Sequence, residues 1–362
     1  MTGMRVQPAE LLGLARALLE AVRTPPHIAA RVAEILVNAD LAGHPSHGVM
    51  RLPEYLAEVD RGAIAVAAEP IVERQTATTA VMDGARGWGH WAVDRAMACA
   101  VAKARAAGVG AVALRRCTHA GRLGEYVEAA TRAGCIGLVM AGVGGYETGW
   151  AAPIGGRSRH LGPNPIAIGV PTAEGPPFVF DAATTVVARG RVMRALALGE
   201  PVPEGWILDA AGRPSVRPED LVAGGTLALA AGHKGYGLSL AACLLGGLGG
   251  GFDGERLRMG GVFVQAVDVG AFLPSTEYGA RVARFLEGVR RGPAAAGAEI
   301  LTPGEPEWRA RQRHAAGLEV PEPVWARLVE AAAARGIPLG DVASGVNGHD
   351  APTSAAGTRP CP

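Results

Sequence analysis

Residues 110–145 read GAVALRRCTHAGRLGEYVEAATRAGCIGLVMAGVGG. An apolar run, Gly110 to Leu114, is followed by a polar loop around His119, an Ala-rich helical stretch from Leu123 to Ala133, and a second apolar run, Ile136 to Met140. Strand, helix and strand at this spacing form the repeating unit of an α/β sheet. Upstream, the run Thr79 to Met82 and the helical stretch Ala92 to Ala107 repeat the pattern, and downstream Ile166 to Val170 adds another strand. From Ala9 to about Asp60 the texture is helical instead. Leu11, Leu12, Leu14, Leu18, Leu19 and Val22 share a face, Pro25-Pro26 breaks the pattern, and Ile28, Val32, Ile35 and Leu36 resume it. Residues 232–249 predict a glycine-spaced apolar helix, and 278–292 and 305–316 predict charged surface helices.

These patterns predict an N-terminal helical region over 1–70 and an α/β region over 71–277. A C-terminal helical region over 278–340 and a flexible tail over 341–362 complete the expected organisation.

The same segment excludes a common dinucleotide-binding fold. Gly142-Val143-Gly144-Gly145 follows a strand, but position 147 is Glu147 rather than glycine, and no acid occurs between Glu147 and Glu174. The Rossmann fingerprint needs both features, because its glycines let the pyrophosphate approach and its acid binds the ribose.

Composition narrows the function. In 362 residues, Lys+Arg 35 against Asp+Glu 34 leaves a net charge of +1, which argues against a polyanion or membrane-surface partner. Gly 52 beside 49% hydrophobic residues is not a signature of disorder. Five scattered cysteines with no C-x-x-C pair read as reduced thiols of a cytoplasmic protein. No leader pattern is visible at the N-terminus, and no run reaches the ~20 apolar residues that span a bilayer.

Three motifs hold the residues suited to chemistry. In the first, His44 to Tyr55, one continuous helix would put His47, Arg51 and Tyr55 on a single face, while Pro53 would make the helix restart near Leu52. An imidazole exchanges protons near neutral pH, and a guanidinium holds a carboxylate by two bonds. The second places His119 after a strand, where α/β proteins put ligands, with small residues beside it. The third joins Pro153 to Pro165, Asp181 to Thr185 and Gly232 to Gly237, glycine-rich segments that offer backbone N–H groups and cations to phosphates. Lys234, one of only two lysines, lies there between glycines. Taken singly, each motif also has a plain reading as a capped helix end or a tight turn. His44, His47 and His119 additionally suggest a metal-dependent hydrolase with three histidine ligands and a water.

In order along the chain, Ser46-His47-Gly48-x-x-Arg51-Leu52-x-x-Tyr55, His119-x-Gly121-x-x-Gly124-x-Tyr126, Gly162-x-Asn164-Pro165-Ile166-Ala167, Asp181-x-Ala183-Thr184, Gly205-Trp206, Lys234-Gly235-Tyr236-Gly237-Leu238 and Pro303-Gly304-Glu305 resemble the malate/L-lactate dehydrogenase family. That family also contains ureidoglycolate, sulfolactate and diketogulonate oxidoreductases and cyclic-imine carboxylate reductases, and the resemblance spans about residues 8–320. It implies a non-Rossmann α/β fold with a mixed sheet and flanking helices, working as a homodimer. It also implies NADH or NADPH as cofactor and a small 2-oxo or 2-hydroxy acid, or a cyclic imine carboxylate, as substrate.

By the resemblance His119 is the catalytic acid/base, His47 a substrate-site histidine and Arg51 the carboxylate anchor, with Ser46 and Tyr55 beside them. Asp181 matches an aspartate that would fix the imidazole's tautomer or stabilise its cation. His160, Gly162, Asn164, Thr184, Lys234 and Gly235 fall in the cofactor loops, and no metal is implied. Pro45, Thr118, Ala120 and Cys243 depart from the family's common Asp, Asn, aromatic and Glu, which points to an altered substrate. Arg157, Arg159, Arg189 and Arg191 are available to a 2′-phosphate, but in a chain with 33 arginines the residue type alone does not choose between the cofactors.

Overall fold

The computed structural model describes residues 3–145, 148–250 and 257–338. The tail expected over 341–362, Cys361 and Glu147 lie outside the described residues.

The chain starts with β1 (Gly3–Val6), α1 (Pro8–Ala21) and α2 (Pro26–Leu41). Pro8 and Pro26 each stand in a helix's first turn, where the missing N–H would have no partner anyway, so the Pro25-Pro26 break starts α2. Two 3-10 turns, Pro45–His47 and Val49–Arg51, lead to α3 (Leu52–Asp60), whose first turn contains Pro53. One continuous helix through His47, Arg51 and Tyr55 therefore does not form, because proline cannot accept the interior of a helix.

The sheet region comprises β2 (Ile71–Gln75), β3 (Thr79–Asp83), α4 (Gly89–Ala107), β4 (Val109–Arg115), α5 (Gly124–Arg132), β5 (Cys135–Gly144), β6 (Ile166–Val170) and β7 (Phe178–Ala182). A smaller unit follows, built of α6 (Arg189–Leu198), β8 (Ile207–Leu208), β9 (Pro214–Ser215), α7 (Pro218–Val222) and β10 (Thr226–Leu227). The chain then forms α8 (His233–Gly246), β11 (Leu257–Asp268), α9 (Ser275–Arg290), α10 (Glu305–His314), β12 (Leu318–Pro321) and α11 (Glu322–Ala333).

The seven-stranded sheet runs β2-β3-β4-β11-β5-β6-β7, and only the β3/β4 pair is parallel. β4 and β5, joined through α5, do not touch, because β11 enters between them antiparallel to both and sets Val264 opposite Val112 on one side and Val139 on the other. The sheet is mixed, as expected, but its central strand comes from a segment in which the sequence patterns mark no strand.

Side chains alternate across a strand, and β5 shows its two faces through glycine. A Cβ on Gly137 would lie 2.8 Å from the Ala130 side chain in α5, and one on Gly142 would lie 2.5 Å from the Ala242 carbonyl in α8. Thus α5 covers one face and α8 the other. Gly246 and Gly261 permit the closest approach of α8 to β11, since a Cβ on either would come within 2.6 Å of the other's carbonyl oxygen.

Val93, Val112, Val139 and Val264 have no accessible surface in the core between sheet and helices, each contributing about 1.5–3 kcal/mol relative to exposure. A second core joins α1, α2, α3 and α11 around Leu18, Leu36, Leu52, Leu328 and Trp88, while the β1/β12 pair ties the two chain ends together. No described helix is long and apolar enough to cross a membrane.

Candidate active site

Two loops meet where α2, α3 and α4 approach β4. The first carries His47 and Arg51. Its turns are fixed by Asp40 at the end of α2, whose carboxyl accepts the Val49 N–H at 2.8 Å. Gly48 lies directly on that carboxyl, where a Cβ would come within 2.2 Å of its oxygen. Burial raises the Asp40 pKa to about 7 despite the bond from Val49.

The second loop carries His119 and is clamped on both sides. Arg116, in a left-handed conformation at φ 51, donates from Nε and Nη2 to Asp83 at 2.8 and 2.6 Å. The Thr118 hydroxyl donates to Gly87 O at 2.7 Å and accepts the first amide of α4, Gly89 N–H, at 2.8 Å. Thr118 thus ties the loop that carries His119 to a helix start.

His119 and Tyr55 meet at 2.7 Å between Nδ1 and the phenol oxygen. Since the Gly121 N–H can only donate and reaches the same nitrogen at 3.3 Å, Nδ1 is the acceptor. Tyr55 then donates its hydroxyl proton, and the neutral ring carries its own proton on Nε2. His119 is an exposed residue, but its imidazole is deeply surrounded by protein. That recess, with the positive influence of Arg51 and of His90 and His47, holds its pKa well below 6.5.

His47 stacks over His119 with ring centroids 5.9 Å apart and planes at 20°. Its Nδ1 meets Ser46 Oγ at 3.1 Å, and burial, with His44, Arg51 and Arg122 nearby, lowers its pKa to about 4. Arg51 lies over the Tyr55 ring at 5.5 Å and pairs with the half-exposed Glu54 at 3.0 Å, while its buried Nε has no partner. The guanidinium therefore faces the imidazoles with a partner that an incoming carboxylate can displace.

The expected tautomer-fixing bond from Asp181 is not present. Its carboxyl accepts the Gly124 N–H at 2.6 Å at the start of α5, and Tyr55 occupies the Nδ1 side of His119. Burial raises the Asp181 pKa, partly offset by Arg122.

The three-histidine metal set does not form either. His44 pairs with Glu307 at 3.0 Å, and the nearly parallel rings of His47 and His119 do not direct their lone pairs to one point. Among the described residues no group of three or more His, Cys, Asp and Glu is placed to hold a metal.

Two further residues belong to this site. His90, in the first turn of α4, is 1% exposed, with its ring 5.3 Å from Tyr55 and 6.3 Å from His119 and neither nitrogen partnered. Burial, with Arg51 and His47, lowers its pKa to about 3. No motif in the sequence singles it out. Arg122, an unspecified position of the His119 motif above, is 4% exposed; it donates to Glu128 at 2.8 Å and leaves Nε and Nη1 without partners.

The expected cofactor residues gather elsewhere, where the end of β5 meets the start of α8. Asn164, at φ 34, accepts the Val143 N–H at 2.9 Å and donates to Ser239 Oγ at 2.9 Å and Cys243 Sγ at 3.2 Å. Thr184 donates to Pro163 O at 2.9 Å. A Cβ on Gly162 would lie 2.6 Å from the Asn164 side chain, and one on Gly235 would lie 2.3 Å from Ala230 O. These four residues brace the loops, and Cys243, another departure, completes the brace by donating to Val143 O at 3.3 Å. His160 meets Ser158 O at 3.1 Å through Nδ1. Lys234 is exposed in the first turn of α8. The other lysine, Lys103, is buried, donating to Gln75 and Thr76 O at 2.9 and 2.8 Å.

Comparison with known proteins gives one consistent picture. The family model for malate/L-lactate dehydrogenase matches residues 6–329. An L-sulfolactate dehydrogenase of Methanothermobacter thermautotrophicus is 34% identical over 90% of this chain and 96% of its own length. A Delta(1)-pyrroline-2-carboxylate/Delta(1)-piperideine-2-carboxylate reductase of Pseudomonas aeruginosa is 33% identical over 82% of this chain and 90% of its own. The crystal structure of malate dehydrogenase from Entamoeba histolytica superposes with a TM-score of 0.87 at 27% identity, covering 93% of this chain and 99% of that one.

Proposed function

Because the chain belongs to the malate/L-lactate dehydrogenase family, and is therefore an NAD(P)-dependent oxidoreductase, we propose that it interconverts a small 2-oxo acid and its 2-hydroxy acid through His119 and Arg51. The carrying observation is the His119 ring, bonded at Nδ1 by Tyr55 and within electrostatic reach of Arg51. A bound nicotinamide would supply hydride to C2 of the oxo acid, or accept it from the hydroxy acid. Arg51 exchanges Glu54 for the substrate carboxylate, a charge-assisted contact contributing about 1.5–3 kcal/mol. For reduction the ring takes up a proton from solvent, against the burial and the neighbouring cations that lower its pKa. Tyr55 accommodates both forms, donating to neutral Nδ1 and accepting from Nδ1–H once the ring is cationic. From Nε2, His119 then protonates the oxygen developing at C2, which leaves the neutral ring with its proton on Nδ1; in oxidation that tautomer takes the proton back at Nε2.

The residues suit the cofactor. Exposed Lys234 and the first-turn amides of α8 lie beside the loops braced by Asn164 and Thr184, a donor set matched to phosphate. Gly162 and Gly235 keep the backbone close there, and His160 lies at the same edge.

A cyclic imine carboxylate is the second reading, favoured by the Pseudomonas relative named for that reduction. It presents the same two handles, a carboxylate for Arg51 and an electrophilic C2.

A homodimer is supported by Leu240, Leu244 and Leu248, 37, 64 and 58% exposed at four-residue spacing along α8 and the turn after it. Light scattering of the purified chain at twice the sequence mass is expected, and the monomer mass would refute it. Buried Cys117, Cys135 and Cys243, free of disulfides, support a reducing, cytoplasmic setting, which localisation of a tagged chain would check. The division at about residues 70 and 277 is proposed as the working partition between substrate loop, catalytic sheet and C-terminal helices.

The function is tested by following absorbance of NADH and NADPH with a panel of 2-oxo acids and cyclic imine carboxylates. Turnover on at least one is expected, lost in His119→Ala with cofactor binding intact. Undiminished turnover in that variant would remove His119 from the chemistry.

A further inference from the structure

Trp150 carries two guanidinium groups over one indole, with Cζ of Arg159 4.4 Å and Cζ of Arg189 4.2 Å from the ring centroid. One cation over an indole is favourable, but a second beside it repels the first. Among the described residues Arg159 is held in place by uncharged partners, donating from Nε to Gly225 O at 3.0 Å and from Nη2 to Leu221 O. Its pKa is lowered, first by burial and then by Arg189. Arg189 has no ion pair or side-chain hydrogen bond among the described residues, and its Nε is buried without a partner. No described carboxylate compensates either cation.

Arg189 is also the first residue of α6, with Arg191 in the same turn and no acid there. Helix starts normally favour acids, because the unpaired amides and the helix dipole make them positive. Arginines on such a start, together with an uncompensated pair on Trp150, describe a site that lacks its anion.

We propose that Arg159 and Arg189 form a phosphate site for the 2′-phosphate of the phosphorylated nicotinamide cofactor, so that the enzyme prefers NADPH; this rests on the dehydrogenase reading. The pair is continuous with the cofactor loops. Leu161, next to Gly162, donates its amide to Ala151 O at 3.1 Å beside Trp150, and Val186, two residues beyond Thr184, donates to Ala228 O at 2.8 Å. A phosphomonoester dianion neutralises both guanidinium groups at once, and the free Arg189 fork suits its paired oxygens. Unphosphorylated NADH leaves the pair uncompensated.

The test is calorimetric titration of the full chain with adenosine 2′,5′-bisphosphate and with adenosine 5′-monophosphate, which differ only by the 2′-phosphate. The bisphosphate is expected to bind about tenfold or more tightly, and Arg189→Ala to remove most of that difference while Arg189→Lys retains part of it. The ratio of kcat/KM for NADPH over NADH should fall by a similar factor in Arg189→Ala, with a melting temperature showing that the variant is folded. Equal binding of the two nucleotides by the wild type would overturn the proposal. So would equal weakening of NADH and NADPH in the variant, which would place Arg189 on the pyrophosphate or on stray phosphate. If the wild type bound neither NADH nor NADPH, the dehydrogenase reading would fall with it.

Discussion

The proton on His119 is placed by Tyr55, which makes the phenol a positioning group rather than a second acid. Burial raises the Tyr55 pKa above its usual 10 and so keeps the hydroxyl protonated. Tyr55→Phe leaves the ring under Arg51 but removes the bond to Nδ1. A loss of about tenfold to a hundredfold in kcat with little change in KM is expected from steady-state kinetics. The pH profile follows from the lowered His119 pKa. Oxidation needs the neutral ring, so its kcat/KM should stay flat as the pH falls through 6.5. Reduction needs the protonated ring, so its kcat/KM should drop about tenfold per unit as the pH rises.

His90 is neutral for a related reason but has no bonds to keep. Leaving buried polar nitrogens unpaired costs about 1–3 kcal/mol, so His90→Leu should raise unfolding free energy by roughly that amount at pH 7. The folded pKa of about 3 lies below the unfolded value of about 6.5. The unfolded wild type therefore binds the extra proton between those values, and wild-type stability falls as the pH drops below 6.5. The advantage of the variant should grow by about 2 kcal/mol between pH 7 and pH 5, as read by urea unfolding.

At the scale of elements, the local signals in the sequence were sound where a residue's constraint is its own. Pro53 marks the restart of α3, and Pro26 the start of α2, because proline's ring acts within one turn. The loop after β4 was legible for the same reason, as a strand followed by small residues. What sequence spacing cannot show is which side chain a loop is tied to. Asp181 reads as a partner for an imidazole but bonds the first amide of α5, and the bond to His119 comes from Tyr55 on another helix. Asn164 has the composition of a ligand-binding residue and is instead a brace between β5 and α8, with both ends of its amide engaged. Asn164→Ala should leave the Val143 N–H and the Ser239 hydroxyl without that partner. A loss of about 2–4 kcal/mol in unfolding free energy and weaker cofactor binding are expected, read by thermal melts with and without NADPH.

For the whole molecule, the near-neutral charge hid two local cationic sites. Arg51 with Arg122 lies beside the imidazoles, and Arg159 with Arg189 lies on Trp150. The alternation of strands and helices identified an α/β protein, yet β11 divides β4 from β5 and makes most of the sheet antiparallel. Its partners lie more than 110 residues away in sequence, a pairing no local pattern encodes. The glycine excess acquires a concrete use in this arrangement, since Gly246 and Gly261 let α8 rest directly on that strand.

The central claim, hydride transfer to C2 of a carboxylate-bearing substrate, is tested most directly with NAD(P)H deuterated at the nicotinamide C4. Mass and NMR spectra of the product should show one deuterium at C2 of the hydroxy acid or cyclic amino acid, and no transfer in His119→Ala. Reduced cofactor that binds but gives no C2-deuterated product from any 2-oxo acid or cyclic imine carboxylate would contradict it.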